Sequence, residues 1–255
     1  MPTIIACFKW VVDEAYIRKG PSGELDFSSV DYKIGEYDRN AIEEAVRLKE
    51  ASGGSAIAAT VGLPEATKGI KDALSRGTDQ AYFIADPSFS NLESSQTAAI
   101  LAEVIRSRIQ SYDLIICGEG SSDLYAQQVG PRLAENLGIP CISFVRKIAL
   151  EGKQVILERR VEEGIEIIAA PTPALVTVLP DINIPRIPGV RDTLTASKKP
   201  VVTIKKDELP PISEARLQTI KLTASRMERT CEKFGTDAEE IGRFVGSLRK
   251  KGVIR

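Results

Sequence analysis

The sequence DLIICGEGSSDLYAQQVGPRLAENLG, residues 113–138, passes from a short apolar run through a loop of small polar residues into a periodic segment. Residues 113–117 have the length of one buried strand. Gly118, Gly120, Ser121, Ser122 and Asp123 then supply a backbone free to turn and several oxygen-bearing side chains, and Gln127, Gln128 and Gly130 lead into Leu133, Ala134 and Leu137 at helical spacing. Strand, loop and helix in this order bring the first amides of the helix to the end of the loop. Such amides point outward with partial positive charge, which suits phosphate. The spacing is neither a Walker A sequence nor GxGxxG, and glycine with serine after a strand also serves merely to make a bend. Taken alone, the loop leaves both readings open.

The same alternation recurs on the N-terminal side. Residues 4–7 read as a first strand, and residues 19–26, with Gly20, Pro21, Ser22 and Gly23, as an exposed excursion. From Asn40 the pattern turns helical: Asn40 with Glu43 resembles a capping box, and Ala41, Ile42, Ala45, Val46 and Leu48 line one face. Residues 56–61 form a second strand closed by Gly62, residues 65–75 a helix stopped by Gly77, residues 81–84 a third strand, and residues 94–109 a long helix with Ala98, Ile100, Leu101, Val104 and Ile105 on its apolar side. Strands alternating with helices over about 140 residues predict a doubly wound, mainly parallel α/β sheet with helices on both faces.

Beyond Cys141 the rhythm changes. Residues 142–150, 154–161, 165–170 and 174–179 are strand-like, and Glu151-Gly152-Lys153 and Glu162-Glu163-Gly164 between them predict antiparallel hairpins attached to the sheet. Pro180, Pro185 and Pro188 place residues 181–190 in a proline-bounded loop. A further extended run follows Lys198-Lys199-Pro200, then Pro210-Pro211, and a last helix at residues 237–250. The tail has little core of its own. We therefore expect a main domain over residues 1–200 and a C-terminal arm over 201–255 that completes its packing on a partner chain; a flexible linker to an autonomous helix is the alternative.

Composition narrows the chemistry. The 255 residues carry 34 basic and 35 acidic side chains, a formal net charge of −1, so no basic excess argues for nucleic acid. No apolar run approaches the roughly 20 residues that span a bilayer, and the N-terminal MPTIIACFKW lacks the charged leader of a signal peptide, so a cytoplasmic protein without direct membrane insertion is expected. Cys7, Cys117, Cys141 and Cys231 lack CxxC spacing and read as reduced thiols, the first three in buried strand contexts. Histidine is absent, which removes the commonest general base and the commonest ligand of catalytic zinc. Borrowed cofactor chemistry is favoured over side-chain catalysis, and no catalytic residue or metal site is assigned.

In a parallel sheet of this kind ligands sit at the carboxyl ends of the strands, where Cys7 to Lys9, Val61 to Leu63 and the loop from Cys117 to Gly130 should meet. Lys9 is placed to approach a phosphate or to snorkel at the surface, and Asp123 to hold a ribose hydroxyl or to cap the helix. Arg159 and Arg160 with Glu158, Glu162 and Glu163 read as exposed hairpin pairs, normally weak contributors to stability.

Several motifs in order resemble one family. IIACFKWVVD, YDRNAIEEAVRLKE, IKDALSRGTDQA, GEGSSDLYAQQVG and VILERRVEEGIEIIAAPTPALVT are together similar to the β subunit of electron transfer flavoproteins, over about residues 3 to 205. In the last of these, Arg159, Glu162, Gly164, Glu166 and Pro173 stand at the family's places. SSDLYAQQVG with YDRNAIE is most similar to the branch associated with nitrogen fixation and carnitine metabolism.

The resemblance implies a Rossmann-like adenine nucleotide-binding fold that pairs with a larger α subunit carrying most of the FAD contacts. The heterodimer relays electrons from a flavin dehydrogenase to a quinone reductase or ferredoxin-type acceptor, and oxidises NADH only in the electron-bifurcating type. This chain would hold AMP or a second FAD. By matching motifs, the adenylate pocket comprises Cys7, Lys9, Tyr37, Asp38, Val61 and the loop containing Gly118, Gly120, Ser121, Ser122, Asp123, Ala126, Gln127, Gln128, Val129 and Gly130. The loop departs from the DDDCNQTG pattern of the simple type, and its AlaGlnxValGly form leans towards FAD. Residues 181–186 align with the loop that docks dehydrogenases, with Ile182 as the anchor beside Asn183 and Pro185. The competing reading, a stand-alone adenine nucleotide-binding protein of the stress type, is disfavoured by the tail and by the lack of that group's glycine-rich phosphate signature. A carboxylate-based hydrolase lacks an acid pair.

Overall fold

The computed structural model describes residues 1–20, 23–217, 219–220, 223–224 and 231–255. Pro21 and Ser22 of the expected excursion, and residues 218, 221–222 and 225–230 of the expected arm, lie outside the described residues. Contacts divide the chain into two compact units, residues 1–18 with 26–221 and residues 19–25 with 222–255.

The first unit is built on nine strands: β1 (Thr3–Cys7), β2 (Ser55–Gly62), β3 (Gln80–Ala85), β4 (Leu114–Gly118), β5 (Cys141–Glu151), β6 (Gln154–Val161), β7 (Gly164–Pro171), β8 (Ala174–Val178) and β9 (Val201–Ile204). Their order across the sheet is β7-β6-β5-β8-β4-β1-β2-β3-β9. The run from β5 to β9 is parallel throughout, and β6 and β7 are antiparallel additions at one edge. The doubly wound α/β sheet with added hairpins is thus the observed architecture. Of the four strand-like runs after Cys141, the last does not extend the hairpins; β8 returns to lie in parallel between β4 and β5. The extended run after Pro200 is β9, parallel to β3 at the opposite edge.

Alternation along the strands feeds two cores, because successive side chains leave a strand on opposite faces. Ile4, Ala6, Leu114, Ile116 and Val176 pack with helices α1 (Glu36–Ser52) and α2 (Thr67–Ser75) through Ile42, Val46, Ile70 and Leu74. Ile5, Cys7, Ile115, Cys117 and Leu175 pack on the other face with α3 (Ser94–Arg108) and α4 (Val129–Leu137) through Leu101, Ile105 and Leu133. Ile4, Ile5, Leu114, Ile115 and Ile116 are all fully buried. A strand buried on both faces reads as a continuous apolar run, as residues 4–7 and 114–117 do.

Helix α1 begins four residues before the expected cap. Gly35 is its N-cap, Glu36 and Asp38 place negative charge in the first turn, and Gly53 closes it with φ 67°. Asn40 therefore lies inside the helix. Among the elements not foreseen are a ribbon pairing Trp10–Val12 with Tyr32–Ile34 and helix α5 (Val190–Ala196). Cys141 is exposed rather than buried, at the first residue of β5, where it pairs with Leu175 of β8; all four cysteines are free.

In the second unit, helix α6 (Ala238–Lys250) is capped by Asp237, whose carboxylate accepts from the Glu240 amide at 2.9 Å. Phe234 stacks edge-on against Phe244 at 5.4 Å, and Lys251 pairs with Glu232 at 2.8 Å. No residue of α6 is buried, and its apolar Ile241 and Phe244 are exposed. Among the described residues no helix is long and apolar enough to cross a membrane.

Candidate functional site

After β1 the chain builds β2 and β3 on one side, and β4 then appears on the other side of β1. The connections at the carboxyl ends of β1 and β4 therefore part in opposite directions. A doubly wound sheet has its ligand crevice at such a switch point.

The crevice is tied together by polar contacts from three segments. The Lys9 amide donates to Asp38 Oδ2 at 2.8 Å, so the end of β1 is fixed to the first turn of α1. Lys9 Nζ reaches across to Asp123 Oδ2 at 2.5 Å. Gly118, last in β4, passes so close to α1 that a Cβ there would stand 2.6 Å from Asp38 Oδ1 and 2.7 Å from Tyr37 Cβ. Tyr37 and Tyr125 hold their rings 5.5 Å apart, and the Tyr125 hydroxyl donates to the buried Glu119 carboxylate. Cys7, Lys9, Tyr37, Asp38 and the loop from Gly118 to Gly130 are thereby brought together. Cys7 and Cys117 lie side by side beneath, on neighbouring strands. Val61, next to last in β2, packs half-buried against the same core as Cys7.

The electrostatics follow from burial and neighbours. Burial pushes the Asp38 carboxyl up to about 7, against the stabilising amides of Lys9 and Gly118. Burial also raises Asp123, but the charge and hydrogen bond of Lys9, helped by Ser121 and the Leu124 amide, hold it below the usual carboxylate range. The hydrogen bond to Glu119 pushes the Tyr125 phenol up to about 12. Cys117 is raised well above an ordinary thiol by its hydrogen bond to Cys7 and by burial, so it is held as a thiol.

Three features suit a phosphate. Ser122 Oγ is buried and has no hydrogen-bond partner among the described residues, although buried hydroxyls are nearly always paired. No side chain caps the start of α4 at Gln128, which leaves its first amides directed outward. Tyr125 and Gln127 both hold positive φ, 47° and 55°, a conformation that costs non-glycine residues on the order of 1 kcal/mol each and is concentrated at functional sites. Gly130 lets the helix start close over β8: a Cβ there would lie 2.6 Å from Thr177 Cγ2. An adenylate phosphate fits this donor set.

The expected docking residues stand elsewhere, after β8. Ile182 ends a short 3-10 turn (Pro180–Ile182) and packs half-buried against the core; Asn183 is buried and hydrogen-bonded to α1. The apolar side chains that the loop presents outward are Ile184, 84 % exposed, and Ile187, 93 % exposed, on either side of Pro185 and Arg186.

Fold and crevice define a Rossmann-like α/β protein with a polar cleft at its switch point. The family model of the electron transfer flavoprotein domain matches residues 23–209. The chain belongs to the electron transfer flavoprotein family, and its role is of that electron-transfer type.

Sequence reading missed Gly35, Glu119 and the pairing of Tyr37 with Tyr125. Gly35 approaches both Asp38 and Ser122: a Cβ on it would lie 3.0 Å from Asp38 Oδ2 and 3.7 Å from Ser122 Oγ. Glu119, set between two loop glycines, was the available signal, since a carboxylate there needs a partner once buried.

Proposed function

We propose that this chain is the β-type subunit of an electron transfer flavoprotein and holds an adenylate, AMP or the adenylate part of a second FAD, at the carboxyl ends of β1 and β4. The observation that carries the reading is the Ser122 Oγ buried without a partner among the described residues, in the loop that leads into the uncapped start of α4. Ser122 and the α4 amides bind the phosphate, Gly118 and Gly130 let α1 and β8 pack close behind it, and Asp123 takes a ribose hydroxyl while steered by Lys9. Flavin, when bound, supplies the one- and two-electron chemistry that the chain's own side chains lack. Cys7, Asp38, Gly120, Ser121, Ala126, Gln127, Gln128 and Val129 complete the pocket wall with Tyr37 and Val61.

A heterodimer with an α-type subunit that carries FAD fits the unburied apolar face of α6, where Ile241 and Phe244 await cover. The complex accepts electrons from a flavin dehydrogenase docked on the loop at residues 180–187 and passes them to a quinone reductase or ferredoxin-type acceptor. Ile184 and Ile187 form the apolar tip, with Ile182, Asn183 and Pro185 shaping its base. The loop form SSDLYAQQVG favours the nitrogen-fixation and carnitine-associated branch. Co-purified with its partner the protein is expected to be yellow and to bleach when a flavin dehydrogenase and its substrate are added. A colourless monomer that binds ATP unaided would contradict the reading.

A further inference from the structure

Helix α1 serves the crevice with its first turn and lies along the 180–187 loop with the rest of its length. Its junction with the loop is polar and closed. Asn40 Nδ2 faces the Pro180 carbonyl at 3.1 Å, the Asn183 carbonyl at 2.9 Å and Asn183 Oδ1 at 3.0 Å. Asn183 Nδ2 donates back to the Asn40 carbonyl at 3.0 Å and to Glu44 Oε2 at 2.9 Å. Both asparagines are buried, so a shift of the loop by one residue would strand amides without partners.

The following turns continue the clamp. Glu43 accepts the Arg186 amide at 3.0 Å and its Nε at 2.8 Å, and Glu50 accepts Arg186 Nη1 at 2.8 Å. Arg47 Nη2 donates to the Ile184 carbonyl at 3.2 Å, and Arg76 Nη1 from α2 to the Arg186 carbonyl at 2.9 Å. Backbone is held at Pro180, Asn183, Ile184 and Arg186 while the side chains of Ile184 and Ile187 are left in solvent. A loop needing only a stable attachment is served by apolar packing at lower desolvation cost. A loop that must present two side chains in one pose gains from directional ties, because less ordering remains for the moment of binding.

We propose that Asn40 is a positioning residue for partner docking, holding through Asn183 the loop pose that projects Ile184 and Ile187 towards a flavin dehydrogenase. The inference rests on the docking role given to this loop above.

The test uses the full chain co-purified with its partner subunit. In Asn40→Ala, amide hydrogen exchange at residues 182–187 rises about tenfold while exchange in β1 and β4 is unchanged. With a flavin dehydrogenase that reduces the wild-type complex, its KM rises about tenfold, and kcat, flavin content and flavin absorbance stay as in wild type. Should Asn40→Ala not fold, Asn183→Ser cuts the same contact from the loop side and is read identically. Unchanged loop exchange overturns the proposal, as does a fall in kcat or flavin content in place of the KM change. Ile187→Ala separates the two layers: if it raises KM and Asn40→Ala does not, the positioning role fails alone. If Ile187→Ala leaves KM unchanged, the docking reading fails, and the exchange data still decide whether Asn40 sets the loop.

Discussion

Lys9 and Asp123, 114 residues apart in sequence, close the mouth of the crevice through a 2.5 Å ion pair between the end of β1 and the loop after β4. The lysine thus keeps a carboxylate ionised beside the proposed phosphate site and offsets its charge there. Replacing Lys9 by Met leaves Asp123 facing the phosphate alone. AMP affinity of the full chain, measured by calorimetry at pH 7.5, should fall about tenfold, the equivalent of ~1.4 kcal/mol. An unchanged affinity would place the phosphate away from this pair.

Asp38 gives a pH signature. Its folded carboxyl titrates near 7 against 3.8 in the unfolded chain, so between these values the folded state holds more proton and loses stability as pH rises. Asp38→Asn has no such titration. The stability difference between wild type and Asp38→Asn, from urea unfolding, should move against the wild type by about 1 kcal/mol per pH unit from pH 4 to 7 and be flat above. A difference independent of pH would show that Asp38 is not the buried acid described.

Gly118 and Gly130 are required by close approach. At Gly118 a methyl group would stand 2.6 Å from Asp38 Oδ1 and 2.9 Å from the Tyr37 backbone carbon, and at Gly130 2.6 Å from Thr177 Cγ2. Either alanine variant should lose about 1–3 kcal/mol in denaturant unfolding, with weaker AMP binding as the strands and helix part. Gly53→Ala, where nothing lies within 4 Å but φ is 67°, provides the control: a loss of about 1 kcal/mol without any change in AMP affinity.

Tyr125→Phe removes the hydroxyl that donates to the buried Glu119 carboxylate, while keeping the ring beside Tyr37. The loop should loosen by about 1–2 kcal/mol, seen as faster amide exchange at residues 120–128 with the strands unaffected. Exchange equal to wild type would mean that the ring contact alone orders the loop.

The sheet was legible because each parallel strand is buried on both faces and each helix carries one apolar stripe, which local periodicity displays. Residues 4–7, 56–61, 81–84 and 113–117 accordingly coincide with β1 to β4 to within a residue or two. What escaped depends on distant partners. Asn40 with Glu43 has the pattern of a cap, yet Asn40 is claimed by Asn183, 143 positions away, and the helix starts earlier. Ile182 and Ile184 are alike in sequence, and only the packing of the 3-10 turn sends the first inward and the second out. In the crevice, loop composition showed glycines and oxygens, but that Ser122 lacks a partner while Glu119 has one is a fact of three dimensions.

The central claim is that this chain carries an adenylate of its own in the crevice between β1 and β4. The direct measurement is acid release of bound ligands from the purified complex, with AMP and FAD counted by chromatography per copy of this chain. One adenylate per copy is expected in addition to the FAD of the α-type subunit, with its loss from Gly130→Ala while that FAD is retained. A complex holding only the FAD of its partner, with no adenylate left for this chain, would contradict it.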